Sequence, residues 1–116
     1  MNIETLRLYC LAKKGVEETF PFGEDTLVFK VGGKMFLLTS LSSSPLQFNA
    51  KSDPDKAVEL RDRYDSIQPG YHMNKQHWNT IIIDGTIPSS LLKELIDESY
   101  TLVVESLPKK IKEGLL

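Results

Sequence analysis

The sequence predicts an α+β fold, a two-layer sandwich in which an antiparallel sheet carries the terminal helices on one face. Gly32-Gly33 separates two segments rich in β-branched and aromatic residues, which is typical of a two-residue β-hairpin and therefore of antiparallel strands. Apolar residues recur at helical spacing along residues 92–106 and predict a long helix that lies across that sheet. Because the chain has 116 residues and no linker or repeat, it is expected to form one domain over residues 1–116.

The other elements follow from local capping and turn signals. Asn2 is a suitable N-cap for a first helix over about residues 3–14, which Gly15 ends. Pro21 within residues 16–23 indicates an extended edge segment followed by a turn. The remaining predicted elements are hairpin strands 26–31 and 34–41, a strand 46–51, a helix opened by Asp53-Pro54 and broken by Gln68-Pro69-Gly70, a strand 78–84, a helix between Pro88 and Pro108, and a loosely held basic tail from about residue 108.

The hairpin turn also determines which side chains share a face of the sheet. If Val31 lies opposite Lys34, one face of the hairpin is the more apolar and is the predicted core face. The pairs on the core face are then Phe29 with Phe36 and Leu27 with Leu38, and the pairs on the other face are Lys30 with Met35 and Val28 with Leu37. The third strand is expected to continue that second face with its polar side chains, which are Gln47, Asn49 and Lys51.

Composition and charge exclude several classes of protein. A chain with 41% apolar and 26% charged residues is typical of a soluble globular protein, not of a disordered or collagen-like one. No apolar run approaches the roughly 18 residues that a membrane span needs, so no membrane association is expected. A single cysteine cannot form an intramolecular disulfide, which favours a reducing compartment and predicts a cytoplasmic location. The formal net charge of −2 is unusual for a protein whose whole surface coats nucleic acid.

Residues with catalytic or metal-binding chemistry are few. Cys10 lies on the apolar face of the first helix and is interpreted as a core residue rather than a nucleophile. His72 and His77 are separated by four residues, which matches neither the HExxH motif nor a zinc finger. Because no phosphate-binding loop and no set of nucleophile, base and orienting group is found, we expect no cofactor, no metal and no enzymatic activity.

Polar and aromatic side chains crowd the segment from Tyr71 to Trp78, YHMNKQHW. Two interpretations are equally supported: a contact surface for a ligand or partner, or a loop whose side chains tie down its own backbone. Trp78, the only tryptophan, is interpreted as a core residue rather than an exposed stacking platform.

Lysines form the one cluster of like charge that the sequence places on the predicted sheet. Lys30, Lys34 and Lys51 lie on neighbouring strands or their hairpin, and no acidic residue occurs within residues 26–52. Clustered cations of this kind neutralise phosphates. The further basic residues that can join them are Lys75, Arg61 and Arg63. The alternative is that strand lysines protect an exposed sheet face from pairing with other chains.

Several motifs together resemble one family. They are FPFG, the hairpin LVFKVGGKMFLL, the strand QFNAK, the helix DPDKAVELRDRY, the block PGYHMNKQHWNT, the turn DGTIP and the SY of ESYTLVVE. In this order and spacing, from about Glu4 to Glu105, they resemble the MmcQ/YjbR family of bacterial proteins. The resemblance implies a CyaY-like fold, related in shape to frataxin, and the function of a DNA-binding protein. The residues that fill the family's polar and basic positions, and to which that function is carried over, are Lys30, Lys34, Lys51, Arg61, His72, Asn74, Lys75, His77 and Trp78.

The leading hypothesis is a non-enzymatic module, acting as a monomer, that contacts DNA phosphates through the lysine-bearing sheet face and the PGYHMNK segment. The alternative is a pocket or protein-interaction module in which the same segment receives a small anion or a partner's peptide. A concave cleft favours the pocket, whereas a flat and continuous basic face favours DNA. The frataxin-like shape suggests a third function, iron binding on an acidic ridge, which has little support because the first helix carries only Glu4.

Overall fold

The computed structural model describes residues 1–115, which form a six-stranded antiparallel sheet and four helices. The elements in chain order are α1 (Ile3–Leu11), β1 (Val16–Thr19), β2 (Thr26–Val31), β3 (Lys34–Ser40), β4 (Gln47–Lys51), α2 (Pro54–Arg63), β5 (Ile67–Pro69), β6 (Trp78–Ile82), α3 (Ser89–Glu105) and α4 (Lys109–Glu113). The strand order is β1-β2-β3-β4-β6-β5, so β1 and β5 are the edges of an open sheet. The predicted α+β fold is confirmed.

The helices cover one face of the sheet. α3 packs across β2, β3 and β4, α2 packs on β5 and β6, and α1 packs on β1. The apolar core lies between these two layers, and Cys10 belongs to it with no exposed surface, as predicted. The largest fully buried side chains of this core are Phe29, Phe36, Phe48, Leu6, Leu37 and Ile81.

Capping residues begin the first two helices where the sequence predicts. The Asn2 side chain accepts the backbone N–H of Thr5, and the Thr5 hydroxyl accepts the N–H of Asn2 in return. The Asp53 carboxylate accepts two N–H groups of the first turn of α2, and Pro54 occupies its first position. α1 ends at Leu11, earlier than predicted, because residues 12–15 form the turn that leads into β1.

A β-bulge changes the hairpin register that the sequence predicts. The two pairs nearest the turn, Val31 with Lys34 and Lys30 with Met35, are as expected. Beyond them Phe36 has no partner on β2, and every later pair is shifted by one residue. The observed pairs are Phe29 with Leu37, Val28 with Leu38 and Leu27 with Thr39.

Ser99 of α3 completes the hydrogen bonding at this bulge. Its hydroxyl donates to the carbonyl oxygen of Phe36 and accepts the backbone N–H of Lys51 at 2.8 Å. The neighbouring Tyr100 places its ring edge-on to the Phe36 ring, with 5.5 Å between centroids. The SY pair of the sequence therefore joins α3 to β3 and β4.

Two segments form regular secondary structure although the sequence suggests that they are irregular. Ile67–Pro69 is the short edge strand β5, a position that tolerates proline because one side of the strand needs no partner. The tail that was expected to be loosely held contains α4. Leu107 and Ile111 lie close to Gly32, and a Cβ added to Gly32 would be 2.6 Å from Leu107. The last residue of that tail, Leu116, lies outside the described residues.

Candidate functional site

The sheet face opposite the helices, which we call the open face, carries polar and apolar side chains in alternation with the core residues. Its members on the four inner strands are Thr26, Val28 and Lys30 of β2, Met35, Leu38 and Ser40 of β3, Gln47, Asn49 and Lys51 of β4, and Trp78, Thr80 and Ile82 of β6. The expectation that Gln47, Asn49 and Lys51 continue the Lys30 face is confirmed. This face also receives the loop formed by residues 70–77, between β5 and β6.

Three hydrogen bonds fasten the loop 70–77 to the open face. The Thr80 hydroxyl donates to Asn49 Oδ1 at 2.5 Å and accepts the backbone N–H of Tyr71 at 3.0 Å. Asn49 Nδ2 lies 3.4 Å from the carbonyl oxygen of Tyr71. The backbone of Tyr71 is thus held at both its N–H and its C=O.

Asn74 organises the second half of this loop. Its carbonyl oxygen accepts the N–H groups of His77 and Trp78 at 3.2 and 2.9 Å, and its side chain accepts the N–H of Gln76 at 2.9 Å. These hydrogen bonds tie the loop to its own backbone, as one of the two interpretations of this segment predicts.

Gly70 begins the loop at a position where no side chain fits. An added Cβ would lie 2.9 Å from both Trp78 Cβ and the Trp78 carbonyl oxygen, and 3.0 Å from Met73 Cβ. The glycine of the PGYHMN block is thus required by close packing against β6.

Tyr71 and His72 form the exposed tip of the loop. Tyr71 is 67% exposed, and its ring centroid lies 4.1 Å from that of His72. His72 has a φ of 59°, a conformation that residues other than glycine adopt rarely and that costs on the order of 1–3 kcal/mol. Strain of this kind is found where a loop is held in one shape at a binding site.

A cleft of about 390 Å³ opens on the open face between the loop 70–77 and the β1–β2 loop that carries Phe22. Its apolar lining residues are Phe22, Met35, Leu38, Phe48, Tyr71 and Met73. Its polar lining residues are Thr26, Thr39, Ser40, Gln47, Asn49 and His72. The lining contains no aspartate, glutamate, lysine or arginine, so the cleft combines apolar walls with amide, hydroxyl and imidazole groups.

Trp78 and His77 lie beside this cleft without lining it. Trp78 is 9% exposed and stands opposite Lys51 in the β4–β6 ladder, so its side chain is on the open face, under the loop. The prediction that Trp78 is buried is confirmed. His77 is half-buried, and its carbonyl oxygen accepts the N–H of Ser52 at 2.8 Å.

The predicted lysine cluster is divided by the fold. Lys30 and Lys51 are both on the open face, but β3 lies between their strands and contributes Met35 and Leu38 there. Lys34 points toward the helix layer, where its Nζ lies 3.4 Å from the carbonyl oxygen of Ser106. Lys34 therefore does not share the open face with Lys30 and Lys51, because it pairs with Val31, which belongs to the core.

Two of the remaining predicted cations support the loop 70–77, Arg61 from α2 and Lys75 from within the loop. Arg61 donates from Nε to the carbonyl oxygen of Ala57 and from Nη2 to that of Lys75, both at 3.1 Å. Lys75 Nζ lies 3.4 Å from the carbonyl oxygen of Gly70. Their contacts are structural, whereas Arg63 lies in a groove beside α2, away from the open face.

Acidic residues from outside the segment 26–52 border the open face. Glu17 of the edge strand β1 stands opposite Lys30. Asp25 accepts the hydroxyls of Ser40 and Ser42 at 3.0 and 2.8 Å, next to the Ser40 end of the cleft. A stretch without acids in the sequence is therefore not a basic surface in the fold.

The groups with perturbed pKa values lie away from the cleft. Burial raises the pKa of the Cys10 thiol to about 12, and burial together with a hydrogen bond to Asp97 raises the pKa of Tyr9 to about 12. Hydrogen bonds from Ser66 and Thr86 lower the pKa of Asp84 to about 2.

Residues 1–115, the part of the chain that the structure describes, lack two features. Their His, Cys, Asp and Glu side chains include no group of three placed to hold a metal ion. None of their helices combines the length and apolar content of a membrane span.

Solved structures resemble this chain closely. A crystal structure of a Deinococcus radiodurans protein of the domain family DUF419 superposes with a TM-score of 0.93 at 42% identity, covering 98% of this chain and 87% of that one. A Pseudomonas syringae protein gives a TM-score of 0.75 at 25% identity over 88% of this chain and 98% of its own. These likenesses support the α+β architecture, and the CyaY-like comparison stays a prediction.

Relatives match over nearly the whole chain. The uncharacterised protein YbdF of Escherichia coli O157:H7 is 43% identical over 107 residues, which are 92% of this chain and 88% of that protein. The uncharacterised protein YjbR of Escherichia coli K12 is 31% identical over 116 residues, covering 100% of this chain and 98% of its own. The YjbR family model matches residues 11–102, and the chain therefore belongs to the YjbR family.

Proposed function

We propose that this protein is a non-enzymatic binding module whose ligand occupies the cleft on the open face. The cleft carries the proposal, because its volume of about 390 Å³ lies in the range of small-ligand sites, which are concave and mostly apolar. Two large aromatic side chains, Phe22 and Tyr71, stand at its rim with about two thirds of their surface exposed (68% and 67%). Exposed apolar groups around a concave site are typical of binding surfaces.

The polar groups of the cleft divide into two kinds. The Asn49 amide and the Ser40 hydroxyl are engaged by Thr80, Tyr71 and Asp25. The side chains of Gln47, His72 and Thr26, which also line the cleft, make no hydrogen bond to any other residue within 1–115. Free amide and imidazole groups beside apolar walls supply the orienting contacts that a ligand needs.

Binding without catalysis is supported by the position of the one cysteine in the sequence. Cys10 belongs to the helix-covered core, on the other side of the sheet from the cleft. Its pKa of about 12 keeps the thiol protonated, and a protonated thiol is a poor nucleophile.

The test is a fragment screen followed by two-dimensional ¹H–¹⁵N NMR, with a cleft variant and a matched control. Leu38→Gln changes a half-buried aliphatic residue that lines the cleft, and Ile82→Gln changes one on the same face outside it. We expect fragments that shift the Gln47 and Met73 signals to lose at least tenfold in affinity with Leu38→Gln and less than twofold with Ile82→Gln. If no fragment shifts these signals, or if both variants act alike, the cleft is not the site.

DNA binding is the second candidate, and Lys30 and Lys51 favour it because both are on the open face. If phosphates contact these lysines, log affinity for duplex DNA falls by about 0.9 per log unit of salt for each contact. Titration of Trp78 fluorescence with duplex and single-stranded DNA at two salt concentrations measures this slope. Lys30→Gln and Lys51→Gln are each expected to reduce the slope by about one contact, while Lys14→Gln, an exposed lysine outside the sheet, leaves it unchanged. Absence of salt-dependent binding removes this candidate.

A further inference from the structure

We infer that the cleft takes an uncharged small molecule built around a flat ring with one amide-like or phenol-like edge. This inference rests on the proposed function and names the class of its ligand. It follows from three properties of the cleft: its charge, its volume and the arrangement of its aromatic and polar side chains.

Charge in the cleft favours a neutral ligand. No side chain that lines it is a carboxylate, an ammonium or a guanidinium. A charged group that leaves water for such a site loses its hydration without gaining a partner, which disfavours binding. The Asp25 carboxylate, which accepts the hydroxyls of Ser40 and Ser42 beside the cleft, would repel an anion at that end.

The size of the cleft suits a small ligand. A cleft of about 390 Å³ lies in the range of small-molecule sites. A molecule of one or two fused rings fits between the two loops that flank the cleft, whereas a peptide strand or a nucleic-acid strand would extend beyond them.

The aromatic and sulfur-containing side chains favour a flat ring. Phe22 and Tyr71 come from opposite loops, so their rings stand on two sides of the cleft entrance. Aromatic rings prefer offset or edge-to-face contact with another flat ring, and methionine sulfur, present at Met35 and Met73, also contacts ring edges favourably. Because hydrogen bonds hold the backbone of Tyr71, this part of the loop loses little conformational freedom when a ligand binds.

The free polar groups define the edge of the ligand. The Gln47 amide offers both a donor and an acceptor, and the His72 imidazole offers one of each in its neutral form. A carboxamide or a phenol satisfies such groups without carrying a charge.

The test uses ligands of one shape that differ in charge, and one ligand of similar size that is not flat. The ¹H–¹⁵N spectrum is titrated with 2-naphthamide, 2-naphthoate, 2-naphthamidine and adamantane-1-carboxamide. We expect 2-naphthamide to saturate shifts at Gln47, His72 and Met73 with at least tenfold higher affinity than each of the other three. Phe22→Ala should weaken it at least fivefold, while Phe20→Ala, an exposed phenylalanine that does not line the cleft, changes it less than twofold.

The outcomes separate the ligand class from the proposed function. Equal or tighter binding of the naphthoate or the amidine at these residues contradicts the inference that the ligand is uncharged. Equal binding of the adamantane amide contradicts the inference that it contains a flat ring. In both cases the cleft remains a binding site. If none of the four ligands shifts these residues at millimolar concentration, the inferred class is wrong. The fragment screen with Leu38→Gln and Ile82→Gln then decides separately whether the cleft binds small molecules at all.

Discussion

The helix-covered face of the sheet and the rim of the cleft on the open face differ in how far their large aromatic side chains are buried. On the helix-covered face large rings are fully buried, and a polar group such as Ser99 has both its donor and its acceptor engaged. At the rim of the cleft Phe22 and Tyr71 are largely exposed, and the side-chain amide of Gln47 makes no hydrogen bond within residues 1–115. Apolar burial and satisfied hydrogen bonds stabilise a fold, so the covered face carries the stability. Exposed rings around a cleft add little to it, and exposed apolar patches of this kind are typical of binding surfaces.

The largest effect is expected in the middle of the covered face. Phe36→Ala removes a ring with no exposed surface that packs against Phe29 and Tyr100, and the cavity should lower the free energy of unfolding by about 3–5 kcal/mol. Chemical denaturation monitored by circular dichroism measures the change. A loss below about 1.5 kcal/mol would show that the two layers are not the main source of stability.

Ser99→Ala tests the hydrogen bonds at the bulge. The change leaves the Phe36 carbonyl and the Lys51 N–H without their partner inside the core, and we expect a loss of about 2–3 kcal/mol. Thr101→Ala, an exposed position on the same helix, is the control and should change stability by less than about 0.5 kcal/mol. Equal effects of the two variants would contradict a special role for the Ser99 hydroxyl.

The covered face was largely predictable from the sequence, because hydrophobic periodicity and capping are local signals. Asn2, Asp53-Pro54 and the stripe of α3 each specify their element through residues within a few positions. The bulge at Phe36 was not predictable in this way. It depends on Ser99, which is 63 positions away along the chain and supplies the hydrogen bonds that the shifted register leaves open.

The open face was predictable only in part. Its polar alternation along β4 was predicted, and a self-tying loop was one of two equally supported interpretations of the loop 70–77. A pocket was the alternative function, but its walls were not predictable because they come from five segments that only tertiary structure brings together, including Phe22 of the FPFG motif. Edge strand β1 was expected as an extended segment, but not its pairing, which places Glu17 opposite Lys30 and weakens the predicted basic face.

Gly70→Ala tests whether close packing against Trp78 and Met73 fixes the position of the loop 70–77 on the open face. The backbone of Gly70 suits any residue, but the new methyl group meets Trp78 and Met73 at 3.0 Å or less, so the loop must shift at a cost of about 1–2 kcal/mol. Thermal unfolding and the chemical shift of Tyr71 N–H report this shift. Gly114→Ala, where the nearest atom is 3.4 Å away, is the matched control and is expected to leave both unchanged.

A smaller effect, which is lost in acid, is expected at the turn that follows β6. The pKa of Asp84 is lowered to about 2 by hydrogen bonds from Ser66 and Thr86, whereas in the unfolded chain it is about 3.9. A lowered pKa in the folded state means that the stabilisation is complete above the unfolded value and is lost as pH falls toward 2. Asp84→Asn should therefore destabilise the protein at pH 6 and differ little from it at pH 2, measured by urea denaturation at both pH values. A difference that stays constant with pH would contradict this assignment.

The smallest effects on stability are expected at the rim of the cleft, and they test the comparison of the two faces most directly. Phe22→Ala and Tyr71→Ala remove rings that are about two thirds exposed (68% and 67%), so each should change the free energy of unfolding by less than about 0.5 kcal/mol. The same truncation at Phe36 is expected to cost several times more, although all three side chains are aromatic and of similar size. If a rim variant instead cost more than about 1.5 kcal/mol, these rings would belong to the folding core, and their exposure would no longer indicate a ligand. If a rim variant keeps its stability but no longer binds fragments, the open face is assigned to function. The ring would then be unnecessary for the fold and would determine what the protein binds.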